Sequence, residues 1–255
     1  FLIITYCILS CSADNGKFII DGSISIDDGE MIYRVSADDN QQPIFIDSVK
    51  VKNGSFSMSG FAELPEINFL LINGIQGNFP FVIESGDIQM TIYKDSLMSS
   101  KAFGSISNDD FMKYKKETKP FMKSIRDIGN DIQKASISKD SLLLSDLQEQ
   151  YLDVQNQVVN YEKIFIEKNL NSLISLLILE RFLMSNKIGT QEAKTLFESF
   201  NNRLRESKIG QKLNKIINKK PNPTDIGQLA PNFQGPDPKG NLISLMDNLG
   251  KVTIL

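Results

Sequence analysis

Lys17-Phe18-Ile19-Ile20-Asp21-Gly22-Ser23-Ile24-Ser25-Ile26, closed by Asp27-Asp28-Gly29, is the stretch whose reading decides the fold. Phe18, Ile20, Gly22, Ile24 and Ile26 take every second position, the period of a strand with one buried face. Asp27-Asp28-Gly29 then supplies a tight turn, with Gly available for positive φ. The same grammar recurs. Met31–Val35 continues. In Ile44–Val51, Ile44, Ile46 and Ser48 alternate against Phe45, Asp47, Val49 and Val51. Asn53-Gly54 is a strong hairpin dipeptide, and Ser55–Ser59 is expected to return from it. Ile67–Ile72, Phe79–Ile83 and Ile88–Tyr93 follow, separated by Asn73-Gly74, Gly77-Asn78 and Ser85-Gly86-Asp87. Short strands at regular intervals predict an antiparallel β-sandwich over residues 16–100. Phe69, Phe79, Phe81 and Tyr93 are candidates for a ligand groove there, with core packing the favoured reading.

Working outward, residues 105–220 change period from two to about 3.6 and predict a helical segment. Ser107-Asn108-Asp109-Asp110 offers caps and early acidic residues. Phe111, Tyr114, Phe121, Ile125, Ile128 and Ile132 form one stripe, with Pro120 expected to kink it. Leu144, Leu147, Tyr151, Val154, Val158, Tyr161 and Phe165 repeat at alternating spacings of three and four. The two stripes suit an antiparallel hairpin closed near Ser136–Asp140, in preference to an intermolecular coiled coil. Ser172–Met184 is apolar on most faces and reads as a buried helix. Thr190–Glu206 and Lys208–Asn218 read as two more helices. Lys208, Lys212, Lys215 and Lys219, with Arg203 and Arg205, make a basic stripe opposite Ile209, Leu213, Ile216 and Ile217. A solvated helix face is the favoured reading, an anionic partner the sharper one. The expected class is therefore α+β.

Composition narrows the chemistry. The 255 residues carry a formal charge of −3, so nucleic acid is not expected as a partner. Histidine is absent, which excludes Ser-His-Asp triads, Cys-His dyads and His-ligated metals. The two cysteines, Cys7 and Cys11, both precede the strands, so no disulfide framework and no zinc knuckle is expected in the body. Asp27-Asp28-Gly29-Glu30 and Asp38-Asp39-Asn40 lack EF-hand spacing and read as turns. Gly250-Lys251 is not a phosphate loop, because Leu245 stands where its first Gly is required. No metal site, no cofactor and no catalytic residue is assigned within the chain.

Phe1-Leu2-Ile3-Ile4-Thr5-Tyr6-Cys7-Ile8-Leu9-Ser10-Cys11 is too short to span a bilayer as a helix and reads as the apolar core of a signal peptide. Ile8-Leu9-Ser10-Cys11 resembles a bacterial lipobox. The resemblance implies acylation at Cys11, with residues 1–15 serving as signal and tether, a membrane partner through the lipid anchor, and a periplasm-facing place in the cell envelope.

Lys219-Lys220-Pro221-Asn222-Pro223 is the clearest linker. Beyond it, Gly227-Gln228-Leu229-Ala230-Pro231-Asn232-Phe233, then Lys239-Gly240-Asn241, Ser244-Leu245 and Gly250-Lys251-Val252, resembles the opening of thioredoxin-like redoxins of the AhpC/TSA and TlpA/ResA-like group. Leu242-Ile243 is expected to pair back as a strand, with Ser244 capping a short helical turn. Residues 224–255 are thus expected to begin a thioredoxin-like α/β domain. Val252-Thr253-Ile254-Leu255 opens an apolar strand, and the sequence is expected to be truncated at both ends. The whole layout is similar to that of Bacteroidetes lipoproteins whose N-terminal β domain is uncharacterised. The resemblance implies a thiol-disulfide oxidoreductase acting on a disulfide-bearing protein or reductant, with its catalytic Cys pair beyond Leu255. A peroxiredoxin and a non-enzymatic partner-binding lipoprotein are the alternatives. Oligomeric state is left open.

Overall fold

A computed structural model describes residues 16–38, 42–219 and 231–250. Eight strands come first: β1 (Lys17–Ile24), β2 (Met31–Ala37), β3 (Pro43–Lys50), β4 (Ser55–Phe61), β5 (Glu66–Ile72), β6 (Ile75–Ile83), β7 (Gly86–Ile92) and β8 (Lys101–Phe103). They form two four-stranded sheets, ordered β4-β1-β7-β8 and β3-β2-β5-β6. In β1 the buried residues are Phe18, Ile20, Gly22 and Ile24, the positions the alternation marks. One core lies between the sheets and takes Ile20 and Ile88 from the first, Ile32, Phe79 and Phe81 from the second. The protein is α+β, with a β-sandwich followed by helices.

Four features depart from the turn-by-turn reading. First, β1 pairs with β7 in parallel, Ile20 opposite Ile88, while all other pairings are antiparallel among the described strands. Second, Asn53-Gly54 forms the expected tight turn, with φ of 52° and 68°, but its flanking strands part. β3 pairs with β2 and β4 with β1, and only a Lys52–Ser55 bridge joins them. Val51 explains the divergence: its side chain is buried in the core, its N–H reaches Glu30 and its carbonyl accepts from Gly29. Third, β3 is an edge strand that exposes Ile44, Phe45 and Ile46 together, so its alternation does not define a buried face. Fourth, Gly77-Asn78, expected to separate strands, lies inside β6.

Two glycines of the first sheet are fixed by aromatic rings. Gly22 lies opposite Phe56, and Gly60 opposite Phe18, across the β1–β4 pair. A Cβ on Gly22 would meet the Phe56 ring at 2.0 Å, and one on Gly60 would meet the Phe18 ring at 2.7 Å. Each ring covers the bare backbone of the glycine facing it.

The helices are α1 (Ile106–Ser138), α2 (Ser141–Lys168), α3 (Leu173–Met184), α4 (Thr190–Ser199), α5 (Asn202–Glu206) and α6 (Lys208–Ile217). α1 runs through Pro120. It ends where Lys139 turns left-handed (φ 58°), and Asp140 caps α2 by accepting from the Leu143 N–H at 3.1 Å. The hairpin thus closes where the heptads require. Thr190–Glu206 is two helices, because Phe200 turns extended to bury its ring and Asn201 caps the next turn through the Leu204 N–H. A second core gathers α3 with Phe165, Ile166, Phe197, Leu204, Leu213 and Val82 of β6.

Sandwich and helices meet at a dry polar joint. The Asn108 carboxamide accepts from the Val82 N–H at 2.9 Å and donates to the Val82 carbonyl at 2.8 Å, pairing with β6 as a strand would. Glu84 accepts from the N–H and hydroxyl of Ser107, at 2.6 and 2.9 Å, and Ser107 Oγ accepts from Leu173 N–H at 3.0 Å.

The chain divides into two compact units after Ile217. In the second, β9 (Gln234–Pro236) and β10 (Leu242–Ser244) form a hairpin. Asp237 holds its loop by accepting from the N–H groups of Lys239 and Asn241, both at 2.8 Å. A 3-10 turn follows at Met246–Asn248, where Ser244 Oγ accepts from Asp247 N–H at 3.3 Å.

Candidate functional site

Beside α6 a groove of about 480 Å³ opens between Ser36, Ala37 and Asp38 at the β2 end, Pro65 before β5, Glu66, Ile67 and Phe69 of β5, and Lys208, Ile209, Gln211, Lys212 and Lys215 of α6. Its construction follows from local sequence. β2 carries a bulge between Arg34 and Val35, so Val35 and Ser36 are both buried on consecutive positions. That places the Ser36 hydroxyl where it donates to Glu66 Oε1 at 2.7 Å. α6 buries Leu213 and Ile217, and the opposite spacing lifts Lys208, Lys212 and Lys215 to one rim.

The rim is basic and the floor mixed. Lys208 Nζ donates to the Ala37 carbonyl at 3.0 Å, tying α6 to β2. Lys212 pairs with Glu180 of α3 at 2.7 Å. Lys215 is exposed. Beneath them Ile67, Phe69 and Ile209 give apolar surface, and Asp38 and Glu66 two acids. Arg34, behind Glu66, donates to Asn68 at 2.9 Å. Burial lowers its pKa, while Asp47 and Glu66 hold it up. The cleft thus sets cations on its rim above apolar side chains and two carboxylates.

The basic stripe is therefore divided. Lys208, Lys212 and Lys215 line the groove, while Arg203 reaches the Glu63 carbonyl at 3.1 Å, and Lys219 and Arg205 lie outside the lining. The aromatic set splits too. Phe79 and Phe81 are core, Phe69 lines the groove, and Tyr93 is exposed. Ser36, Pro65 and Glu66 were invisible as site residues, because the Arg34/Val35 bulge cannot be read from alternation; the interrupted pattern after Val35 was its only signal. Among the described residues no group of three metal-ligating side chains exists, and Asp27-Asp28-Gly29-Glu30 forms a turn with Gly29 at φ 94°. Cys11, the lipobox, Asp39-Asn40, Gly227–Ala230 and Lys251–Leu255 lie outside the described residues. No described helix is long and apolar enough to cross a membrane.

A second buried cluster lies where α1, α2 and α3 meet. Glu162, 1% exposed, accepts from Tyr114 Oη and pairs with Arg181, both contacts 2.5 Å and both to the same oxygen. Burial, then the bond to Glu162, pushes Tyr114 up to about 12. Tyr161, bonded to Glu117 at 2.6 Å, is pushed up as well, first by burial. The cluster is an inter-helix lock built on a buried carboxylate, with Arg181 and Tyr161 reaching the surface, rather than a cleft.

Residues 18–111 match the family described as "Domain of unknown function (DUF4369)". The match takes in all eight strands of the sandwich and ends just past the joint residues Ser107 and Asn108. No curated protein and no solved structure matches the chain.

Proposed function

We propose that this chain is the opening part of an envelope lipoprotein that acts as a thiol-disulfide oxidoreductase of the thioredoxin-like group, anchored through Cys11. The observation that carries the reading is the ordered set after the linker, from Ala230-Pro231-Asn232-Phe233 through Lys239-Gly240-Asn241 and Ser244-Leu245 to Gly250-Lys251-Val252. Its support is the hairpin β9–β10 with the Asp237 loop, and the Phe233 carbonyl accepting from Leu245 N–H at 3.0 Å. A β domain matching a family of unknown function suits the uncharacterised module of such lipoproteins. In this reading the catalytic thiols follow Leu255, where a Cys at a helix N-terminus would be held as the attacking thiolate. The groove beside α6 then serves recognition of the disulfide-bearing partner, through an acidic segment of it.

The test is to express the reading frame to its stop codon and assay insulin reduction and peroxide consumption. Residues 1–255 alone, whose cysteines are Cys7 and Cys11, are blank in both. Insulin reduction by the full protein, lost on replacing the first Cys of a CxxC, supports the proposal. Peroxide turnover without reductase activity selects a peroxiredoxin in the same frame. Neither activity leaves a partner-binding lipoprotein and sinks the enzymatic reading. Palmitate labelling lost in Cys11→Ser checks the anchor separately.

A further inference from the structure

The distal part of the α1–α2 hairpin has a face that no other described element covers. Near its base, Phe111, Tyr114, Val159, Tyr161 and Phe165 pack into the second core against α3. From Phe121 to Val158 the residues belong to neither core, and most seam positions, among them Ile125, Ile128, Ile132, Tyr151 and Val154, stay only half-buried. The helices rise 1.5 Å per residue, so this arm extends about 28 Å beyond Pro120. At about 100° per residue, Met122, Gly129 and Gln133 of α1 and Gln148, Leu152 and Gln155 of α2 fall on one side of the arm, the side α3 covers at the base. None of the six is charged. Met122 is 42% exposed and Leu152 58%.

Gly129 is the second observation. It stands in the middle of a 33-residue helix, where Gly costs about 1 kcal/mol against Ala. Nothing lies within 4 Å of the Cβ it lacks, so no contact among the described residues requires it. The ring pairs Tyr114–Phe165 and Phe121–Tyr161 set the register of the hairpin and bring Gly129 level with Leu152.

We propose that this face is the dimer interface of the protein, two arms pairing side by side into a four-helix bundle in which Leu152 of each copy seats over Gly129 of the other. Charge selects a second copy. The outer edge of α1 carries Lys119, Lys123, Arg126 and Lys134, of which Lys123 and Lys134 also pair with Asp127 and Asp131 of their own helix, and that of α2 carries Asp146, Glu149 and Asp153 with no cation from Ser141 to Val158. A two-fold axis along the arm sets α1 of one copy beside α2 of the other, so basic edge meets acidic edge at both rims. Pairing would also cover seam residues that two helices alone leave half-open.

Sedimentation equilibrium on the 1–255 chain carrying Cys11→Ser, from 1 to 100 μM, tests this. A mass moving toward twice 28.6 kDa is expected. Leu152→Glu and Gly129→Lys should each weaken association at least tenfold. The second adds a good helix former where there is room for it, so its circular dichroism and melting should hold or improve. Ser124→Lys, on the opposite face, should leave association unchanged, and raising salt from 0.05 to 0.5 M should weaken it several-fold. A monomer at every concentration overturns the proposal and leaves the face to a different protein's helix. Equal loss from Ser124→Lys also overturns it.

Discussion

At its base the α1–α2 hairpin presses Phe111, Tyr114, Tyr161 and Phe165 against α3, while from Phe121 to Val158 the same helices belong to neither core. The heptad spacing is equally regular in both halves. Their energetics differ because spacing specifies a seam, not the number of elements that close over it. At the base a third helix excludes water, so a carboxylate can be buried there and must be paired. In the arm two helices leave their stripe half-wet, and each apolar side chain contributes less.

The first way to break this contrast is Leu176→Ala, in the fully buried face of α3. It should cost about 3–4 kcal/mol in urea unfolding, the range for a large buried aliphatic leaving a cavity. Next is Arg181→Met, which leaves the Glu162 carboxylate buried beside Tyr114 without its cation. About 2–3 kcal/mol should be lost, and Glu162→Gln added to it should restore part. Alkaline titration probes the same lock. An unfolded tyrosine ionises near 10, whereas Tyr114 is held up to about 12 by burial and its bond to Glu162. Its contribution is therefore full below pH 10 and declines between pH 10 and 12. About 1–2 kcal/mol should disappear there, allowing for solvent screening of a partly exposed ring. Tyr114→Phe should flatten that decline in melting temperature. In the arm, Ile128→Ala should cost only about 1 kcal/mol in the monomer. A loss equal to that of Leu176→Ala would erase the distinction between base and arm. The smallest effect is a gain: Lys139→Gly, at a left-handed φ of 58°, should stabilise by about 0.5 kcal/mol.

Sequence reasoning reached whatever depends on neighbours along the chain. The strand period of β1, the hairpin at Lys139-Asp140 and the apolar helix α3 are such features. It failed where a distant element decides. The Asn53-Gly54 turn is legible, but that its strands part into different sheets depends on Val51 being drawn into the core. Phe200 breaks a helix that spacing alone continues, because burying its ring outweighs one more helical turn. The groove needs the bulge at Arg34/Val35 to bring Ser36 beside Glu66, and the lock needs three helices to converge on Glu162. Lys208, Lys212 and Lys215 could be read as a stripe, yet only the β2–β5 surface beside α6 turns three of its cations into a rim.

The parallel pairing of β1 with β7 has a consequence in time. Phe18 faces Gly86, and Ile24 faces Ile92. As the chain folds, β1 and β4 can zip together early, but the other margin of β1 stays open until β7 docks. The sandwich is thus a high-contact-order object whose closure waits on its seventh strand, and it should fold slowly for its size. The helices that follow are rich in local contacts and are set to form faster than the sheet they dock on. During that interval the uncovered margin of β1 is an unpaired strand edge, open to pairing with the wrong partner.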